Sequence, residues 1–174
     1  MVAAGDPWGE LVEQARELFA LDLSDEQVSQ LRSYVSVLEV WSARLNLVSA
    51  RSTVEIVRRH VLDSLAPADW LGPGDVFADI GSGAGFPGIP LAVIGRGTVR
   101  LLESRVRRAS FLRQVIRTLG LPNASVHAGR AEDFRDERLD AVVARGIEER
   151  ALAGLAARLL PAEGRLIAMR TARQ

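Results

Sequence analysis

The sequence predicts an α/β protein in which a helical N-terminal region precedes a mostly parallel sheet. Helical periodicity fills roughly the first seventy residues, whereas short apolar segments alternate with helical segments from Val76 onward. Strands that alternate with helices favour parallel pairing, because each crossover returns the chain to the same edge of the sheet. We therefore divide the chain into a helical N-terminal cap, residues 1–72, and an α/β core, residues 73–174, which we expect to form one compact unit.

The cap is predicted from apolar spacing and from capping patterns. A first helix is indicated by an apolar stripe at helical spacing, made of Trp8, Leu11, Val12, Ala15, Leu18 and Phe19. Ser24 with Gln27, and Ser52 with Glu55, are capping-box pairs that each open a further helix. The last of these helices is expected to extend to Leu65.

The core contains five short apolar segments that are predicted to be strands: 76–80, 99–103, 125–129, 139–145 and 165–169. Helical patterns separate most of them, over 87–94, 107–120 and 148–160. Gly120 is a natural residue to end the second of these helices, because glycine adopts the left-handed conformation there without strain.

Composition limits the classes of function. The chain has no cysteine and only two histidines, His60 and His127, which argues against a dedicated metal site. No apolar run reaches the roughly 20 residues of a membrane span, and no signal-peptide pattern opens the chain, so we expect a cytoplasmic protein with no membrane partner. The net charge is zero, but residues 100–117 carry six arginines and one acid, which leaves a local basic face.

The loop after the first strand carries a glycine motif that fits two cofactor patterns. Gly83, Gly85 and Gly88 match the dinucleotide fingerprint G-x-G-x-x-G. Asp79, Gly81, Gly83 and Gly85 match the pattern D-x-G-x-G-x-G of S-adenosylmethionine-dependent methyltransferases. Glycines in either pattern let the backbone turn sharply and approach a ligand closely.

Two acidic residues help to separate these cofactors. Glu103 ends the second strand, where both patterns place a carboxylate on the ribose hydroxyls. Asp79 would repel the pyrophosphate of a dinucleotide, but it would attract the sulfonium and ammonium groups of S-adenosylmethionine. The sequence therefore favours a methyl donor, and an NAD-dependent oxidoreductase remains the alternative from another class.

Two further segments are candidates for the same site. Ala131, Glu132 and Asp133 follow the third strand, where a loop touches the adenine in adenine-binding α/β folds. Arg145 ends the fourth strand, at the edge where the catalytic groups of such folds collect. The alternatives are a solvated helix start for the acidic residues and a solvated strand end for Arg145.

Four segments resemble one family of methyltransferases: NLVSARSTVEIVRRHVLDSL, DIGSGAGFPGIPLA, LLESRVRRASFLRQVIRTLGL and GRAED. The chain is similar over residues 38–169 to the glucose-inhibited division protein B family, which methylates N7 of a guanine in small-subunit (16S) ribosomal RNA. The segment from Phe86 to Pro90, which closes the glycine motif, is the most specific part of the likeness. The resemblance implies the Rossmann-like fold of class I methyltransferases, with S-adenosylmethionine as cofactor and ribosomal RNA or a ribosomal subunit as partner.

The resemblance also implies roles for individual residues. It implies donor contacts at Gly81 and Phe86, adenine contacts at Ala131 and Glu132, and a catalytic position for Arg145 near the donor. Four positions of the cap match family positions that face the pocket: Asn46, His60, Asp63 and Ser64. For contacts with RNA phosphates the candidates are Arg44, Arg51, Arg58, Arg59, Arg105, Arg107 and Arg108.

The sequence departs from the family pattern at two places. Arg145 is flanked by Ala144 and Gly146, where the family has serine and alanine. The sequence ends soon after the fifth strand, so we expect the sheet to lack the C-terminal antiparallel strand pair of the family and to expose an edge. We expect a monomer, although such an edge could pair. A weakly active or non-catalytic relative that binds donor or RNA is the second functional hypothesis.

Overall fold

A parallel five-stranded sheet forms the centre of the fold in the computed structural model, which describes residues 6–50, 52–135 and 138–170. Its strands are β1 Val76–Ile80, β2 Thr98–Glu103, β3 Ala124–Ala128, β4 Ala141–Arg145 and β5 Arg165–Met169. They lie in the order β3-β2-β1-β4-β5, and every pairing is parallel. The strand order therefore reverses direction between β1 and β4, which opens a crevice at their carboxyl ends.

Helices cover both faces of this sheet. The core helices are α5 Gly88–Val93, α6 Val106–Leu119 and α7 Glu149–Leu159, and a short 3₁₀ turn spans Ala131–Asp133. Phe77 and Leu101 pack on the face that α5 and α6 cover. Ala78, Ile80 and Leu102 pack on the opposite face, with α7 and the 3₁₀ turn. The alternation follows from the period of two in a strand, which points successive side chains to opposite faces.

The N-terminal cap is helical, as predicted. Its elements are α1 Pro7–Phe19, α2 Asp25–Leu45, α3 Thr53–Ile56, a π-helical turn Val57–Val61, α4 Leu62–Leu65 and a 3₁₀ turn Ala66–Trp70. The capping box of Ser24 is formed in both directions, at 3.2 Å from the Gln27 amide and 2.9 Å from the Gln27 side chain. The Ser52 hydroxyl accepts a hydrogen bond from the Glu55 amide at 3.2 Å.

The cap shares its core with the α5–α6 face of the sheet. The buried side chains of Leu31 and Val35 on α2 belong to the same apolar cluster as Phe111 and Val115 on α6. The predicted stripe of α1 is narrower than expected, because Leu18 in its last turn is 62% exposed. No helix in the described part of the chain is long and apolar enough to cross a membrane.

Candidate functional site

The glycine loop connects β1 to α5 and has the backbone conformation that only glycine adopts freely. The φ angles of Gly81, Gly83 and Gly85 are 69°, 54° and 95°. A Cβ atom at Gly85 would also lie 2.8 Å from Cγ1 of Ile89 and 3.1 Å from Oη of Tyr34. Any side chain at this position would therefore strain the loop and push it away from its neighbours.

Asp79 is buried directly beneath the glycine loop. Its Oδ2 atom accepts a hydrogen bond from the Gly88 amide at 3.1 Å, whereas its Oδ1 atom is buried with no partner among the described residues. Burial raises the pKa of Asp79 from 3.8 to about 7, although the Gly88 hydrogen bond, the nearby Ser82 hydroxyl and the charge of Arg145 act in the opposite direction. The carboxylate thus has an unused acceptor and would gain from a nearby cation.

Glu103 holds the glycine loop against the end of β2. Its Oε2 atom accepts from the Gly83 amide at 2.9 Å, and its Oε1 atom accepts from the Arg105 amide at 2.7 Å. Each carboxylate oxygen has two lone pairs, so both atoms keep capacity for a further donor. The predicted contact of Glu103 with ribose hydroxyls stays a prediction, and the structure adds a role in positioning the loop.

Arg145 lies on the same sheet face as Asp79 and Glu103. Asp79 on β1 is in register with Leu101 on β2 and with Val143 on β4, so the three side chains share one face. Glu103 and Arg145 lie two residues further along β2 and β4, and the period of two returns them to that face. The Arg145 guanidinium lies 5.0 Å from the centre of the Phe86 ring, a cation–π contact. Among the residues that the structure describes, no carboxylate lies within ion-pair distance of it. Burial lowers the pKa of Arg145, but arginine remains charged near neutral pH.

Aromatic side chains surround Phe86. The His60 ring stacks on it with a centroid separation of 5.3 Å, and the Tyr34 ring meets it at the same separation with an edge-on geometry. His60 comes from the π-helical turn, and Tyr34 comes from α2. The position of Phe86 is therefore fixed by side chains from the cap.

Tyr34 is a residue of the site that the sequence analysis did not identify. Its buried hydroxyl donates to the carbonyl oxygen of Ala84 in the glycine loop at 2.6 Å. Burial raises the pKa of Tyr34 well above its usual value, so the hydroxyl keeps its proton and remains a donor. The only sequence signal was a single tyrosine on the apolar side of a helix, which is equally typical of an ordinary core residue.

A cavity of about 310 Å³, the glycine-loop cavity, lies on the α7 side of the sheet at the carboxyl ends of β1 to β3. It brings together the predicted residues Gly81, Ala131 and Glu132. The remaining lining residues are Ile80, Leu102, Ser104, Gly129, Arg130 and Leu155. Asp79, Gly83, Gly85, Phe86, Glu103 and Arg145 lie outside this described lining.

A second cavity of about 200 Å³, the Arg145 cavity, lies on the cap side at the carboxyl ends of β4 and β5. Asp63 and Arg145 are the predicted residues that line it. It is completed by Ala66, Pro67, Trp70, Ile167, Ala168, Met169 and Arg170.

The other cap positions that the resemblance implied are placed differently. Ser64 is buried and donates its hydroxyl hydrogen bond to the His60 carbonyl oxygen. Asn46 is an exposed residue with a φ of 47° that ends α2, and it lines neither cavity in the described structure. The structure thus shows a helix-capping position for Asn46 and a hydrogen bond within its own helical segment for Ser64, and their approach to the pocket stays a prediction.

The arginines predicted to contact RNA fall into separate groups. Arg44 and Arg107 line a groove of about 380 Å³, the α2–α6 groove, together with Val40, Trp41, Leu45, Val106 and Ser110. Arg58 forms an ion pair with Glu10 at 2.6 Å, and Arg59 forms one with Glu55 at 2.8 Å. Arg51 lies outside the described residues. The remaining candidates are Arg105, which is exposed, and Arg108, which is half-buried.

The strand order, the glycine loop after β1 and the buried carboxylate at the end of β2 define a Rossmann-like fold of the methyltransferase class. The family model described as GidB, rRNA small subunit methyltransferase G, matches residues 27–174. The chain belongs to this family.

Curated relatives carry the name ribosomal RNA small subunit methyltransferase G. The protein from Vibrio campbellii is 41% identical over 127 residues, which cover 72% of this chain and 60% of that protein. The Rhodospirillum centenum protein is 46% identical over 81% of this chain and 66% of its own length. The Chromobacterium violaceum protein is 35% identical over 91% of this chain and 78% of its own length. The chain thus spans less than two thirds of the first two relatives.

Solved structures share the fold at low sequence identity. Cofactor-bound Rv0187 from MTB superposes with a TM-score of 0.61 at 20% identity, covering 94% of this chain and 72% of that one. The C-terminal domain of precorrin-6Y C5,15-methyltransferase from Rhodobacter capsulatus gives a TM-score of 0.53 at 23% identity, covering 70% and 64%. These similarities support the α/β, Rossmann-like fold class that the sequence predicted.

Proposed function

We propose that this chain is an S-adenosylmethionine-dependent methyltransferase that modifies N7 of a guanine in small-subunit ribosomal RNA. One observation carries the proposal: a single cavity joins Gly81 of the glycine loop to Ala131 and Glu132, the residues predicted to contact the donor and its adenine. The curated relatives are named ribosomal RNA small subunit methyltransferase G, which supports the choice of small-subunit ribosomal RNA as substrate.

The described residues are compatible with a cationic adenosine ligand. The glycine-loop cavity of about 310 Å³ is within the usual range for small-molecule sites, roughly 300–1,000 Å³. It is lined by apolar Ile80, Leu102 and Leu155, which suit an adenine ring. The Asp79 carboxylate points to the opposite face of the sheet from this cavity, at the end of β1. Its negative charge would favour a cationic ligand at the carboxyl edge and oppose a pyrophosphate, so an NAD-dependent oxidoreductase is disfavoured.

In this proposal the chain binds and orients, and it performs no proton transfer. S-adenosylmethionine, when bound, would supply the methyl group that N7 takes from its sulfonium, with S-adenosylhomocysteine as the leaving product. Guanine N7 has a lone pair and no proton, so no general base is required. Asp79 and Glu103 fix the glycine loop and the donor, while Arg145, held by Phe86, contacts the acceptor nucleotide.

The proposed arrangement treats residues 1–72 and 73–174 as one unit. Two observations support a single unit. Helices α2 and α6 share an apolar core, and Tyr34 of the cap donates a hydrogen bond to Ala84 of the glycine loop. The RNA would approach the carboxyl edge of the sheet, with the α2–α6 groove supplying Arg44 and Arg107 for phosphates. We propose that the protein acts as a monomer in the cytoplasm.

Two measurements test this function. Titration calorimetry with S-adenosylhomocysteine should detect binding that Gly81→Val abolishes, because a side chain at φ 69° would strain the loop and crowd Ile147. Transfer of labelled methyl to small-subunit ribosomal RNA, followed by chemical cleavage at N7-methylguanine, tests the acceptor atom. Donor binding without transfer would indicate a non-catalytic relative, and NADH binding in place of S-adenosylhomocysteine would overturn the proposal.

A further inference from the structure

The Arg145 cavity contains a carboxylate whose purpose the donor site does not explain. Asp63, on α4, lines this cavity and is exposed, and its side chain has no hydrogen bond or ion pair with any residue that the structure describes. Arg145 and Arg170 line the same cavity, and Arg170 forms an ion pair with Glu149. An unpaired acid beside two arginines is a hydrogen-bond acceptor available to a ligand.

The surroundings of Asp63 suit a nucleobase better than a phosphate. A volume of about 200 Å³ lies below the usual range for a complete small-molecule ligand, so the cavity has room for a fragment such as one base. Trp70 offers a 59% exposed ring, and Arg145 offers a planar guanidinium, and both groups stack on unpaired bases. A phosphate would be attracted by the arginines but repelled by Asp63.

The chemistry of the four bases then selects one of them. A carboxylate accepts two parallel hydrogen bonds from adjacent N–H donors, as it does with arginine. Among the RNA bases only guanine presents two adjacent donors on one edge, at N1 and at the exocyclic N2. Its N7 atom lies on the opposite side of the purine, so an acid bound to this edge leaves N7 unobstructed.

We propose that Asp63 determines base specificity by accepting hydrogen bonds from N1 and N2 of a guanine bound in the Arg145 cavity. The inference rests on the proposed function and deepens it, since it assigns the acceptor base to one cavity and one residue. The adenosine of the donor would then lie in the glycine-loop cavity and the acceptor base in the Arg145 cavity. The sulfonium methyl and N7 would meet between them at the carboxyl edge, where the strand order reverses between β1 and β4.

The experiment uses the indole N–H signal of Trp70 in NMR spectra of the whole chain, saturated with S-adenosylhomocysteine and titrated with GMP, IMP and AMP. IMP lacks the exocyclic amine and should bind roughly fivefold more weakly than GMP, the cost of about one hydrogen bond. AMP should not shift the signal. Asp63→Asn should remove the preference for GMP over IMP and keep the affinity for S-adenosylhomocysteine within about twofold.

Asp69→Asn is the matched control, because Asp69 is an exposed acid of the adjoining 3₁₀ turn that lies outside the described lining of the cavity. It should bind all three nucleotides as the unmodified chain does. Equal affinity for the three nucleotides, no Trp70 shift at millimolar GMP, or an unchanged preference in Asp63→Asn would overturn the guanine assignment. Failure of S-adenosylhomocysteine to bind would instead overturn the proposed function, while the nucleotide preference would still be read separately.

Discussion

The hydroxyl of Tyr34 on α2 donates a hydrogen bond to the carbonyl oxygen of Ala84 at 2.6 Å, and so joins the N-terminal cap to the glycine loop. Both residues are buried, and the same tyrosine ring packs edge-on against Phe86. The conformation of the loop therefore depends on a helix fifty positions earlier in the chain. This contact ties the cap to the loop that the proposed function assigns to the methyl donor.

Tyr34→Phe should weaken S-adenosylhomocysteine binding by about tenfold, because the buried Ala84 carbonyl loses its donor and the loop loses its anchor. Calorimetry measures the affinity. Ser36→Ala is the control, since it removes a hydroxyl that bonds to the Arg32 carbonyl on the exposed side of the same helix. Wild-type affinity in Tyr34→Phe would contradict the anchoring role.

Asp79→Asn should make the ligand-free protein more stable at pH 8 and leave its stability nearly unchanged at pH 4. An acid with a pKa raised from 3.8 to about 7 keeps its proton in the folded state while the unfolded state loses it, so stability falls as the pH rises between these values. The full effect corresponds to roughly 4 kcal/mol. Urea denaturation at both pH values measures it.

The same substitution should lower donor affinity at pH 8 by at least about tenfold, because the charge that attracts the donor is gone. In the unmodified chain, donor affinity should fall as the pH decreases below about 7, where Asp79 takes up its proton. Asp69→Asn, which neutralises an exposed acid, should change neither the donor affinity nor the stability. A lower stability of Asp79→Asn at pH 8 would count against a charged, buried Asp79.

Gly88→Ala should destabilise the fold by about 1–3 kcal/mol through overpacking. A Cβ atom at Gly88 would collide with Leu101 and lie 2.7 Å from Oδ2 of Asp79. Gly154→Ala is the opposite case, because Gly154 is an exposed residue of α7 whose added Cβ would meet nothing within 4 Å. It should stabilise the protein by about 1 kcal/mol. Chemical denaturation that ranks the two variants in reverse order would refute this packing.

Reversing charge at Arg44 and Arg107 together should weaken binding to small-subunit ribosomal RNA and reduce its salt dependence. Each lost phosphate contact should lower the slope of log affinity against log salt by about 0.7 to 0.9. Filter binding over a series of salt concentrations measures this slope, and calorimetry should find donor affinity unchanged. Arg138→Glu is the control, since Arg138 pairs with Glu163 at the amino-terminal edge of the sheet. An unaltered slope would remove the α2–α6 groove from the RNA interface.

The elements that local patterns encode were predicted well from the sequence. The fifth strand was placed at 165–169 and the first at 76–80, as observed, because apolar runs and flanking turn residues act within a few positions. Gly81, Ala131 and Glu132 were expected at one site and do line one cavity, since parallel strands bring the loops after them to the same edge.

Contacts between distant layers could not be predicted in the same way. The hydrogen bond of Tyr34 to Ala84 depends on how α2 packs over the sheet, which no local motif specifies. The use of both Glu103 oxygens by backbone amides was also missed, because the turn that places Gly83 and Arg105 beside it forms only in three dimensions. Leu18 was expected to be apolar core and is exposed for the same reason.

The two cavities lie against opposite faces of one sheet, and this separation bears on the order in which the proposed ligands would bind. The glycine-loop cavity borders α7, whereas the Arg145 cavity borders the cap. The described linings of the two cavities share no residue, so the proposed donor and acceptor can bind in either order, and the methyl and N7 would meet at the carboxyl edge of the sheet. Initial-rate kinetics with two varied substrates should then follow a random sequential scheme, with each product inhibiting competitively against its own substrate.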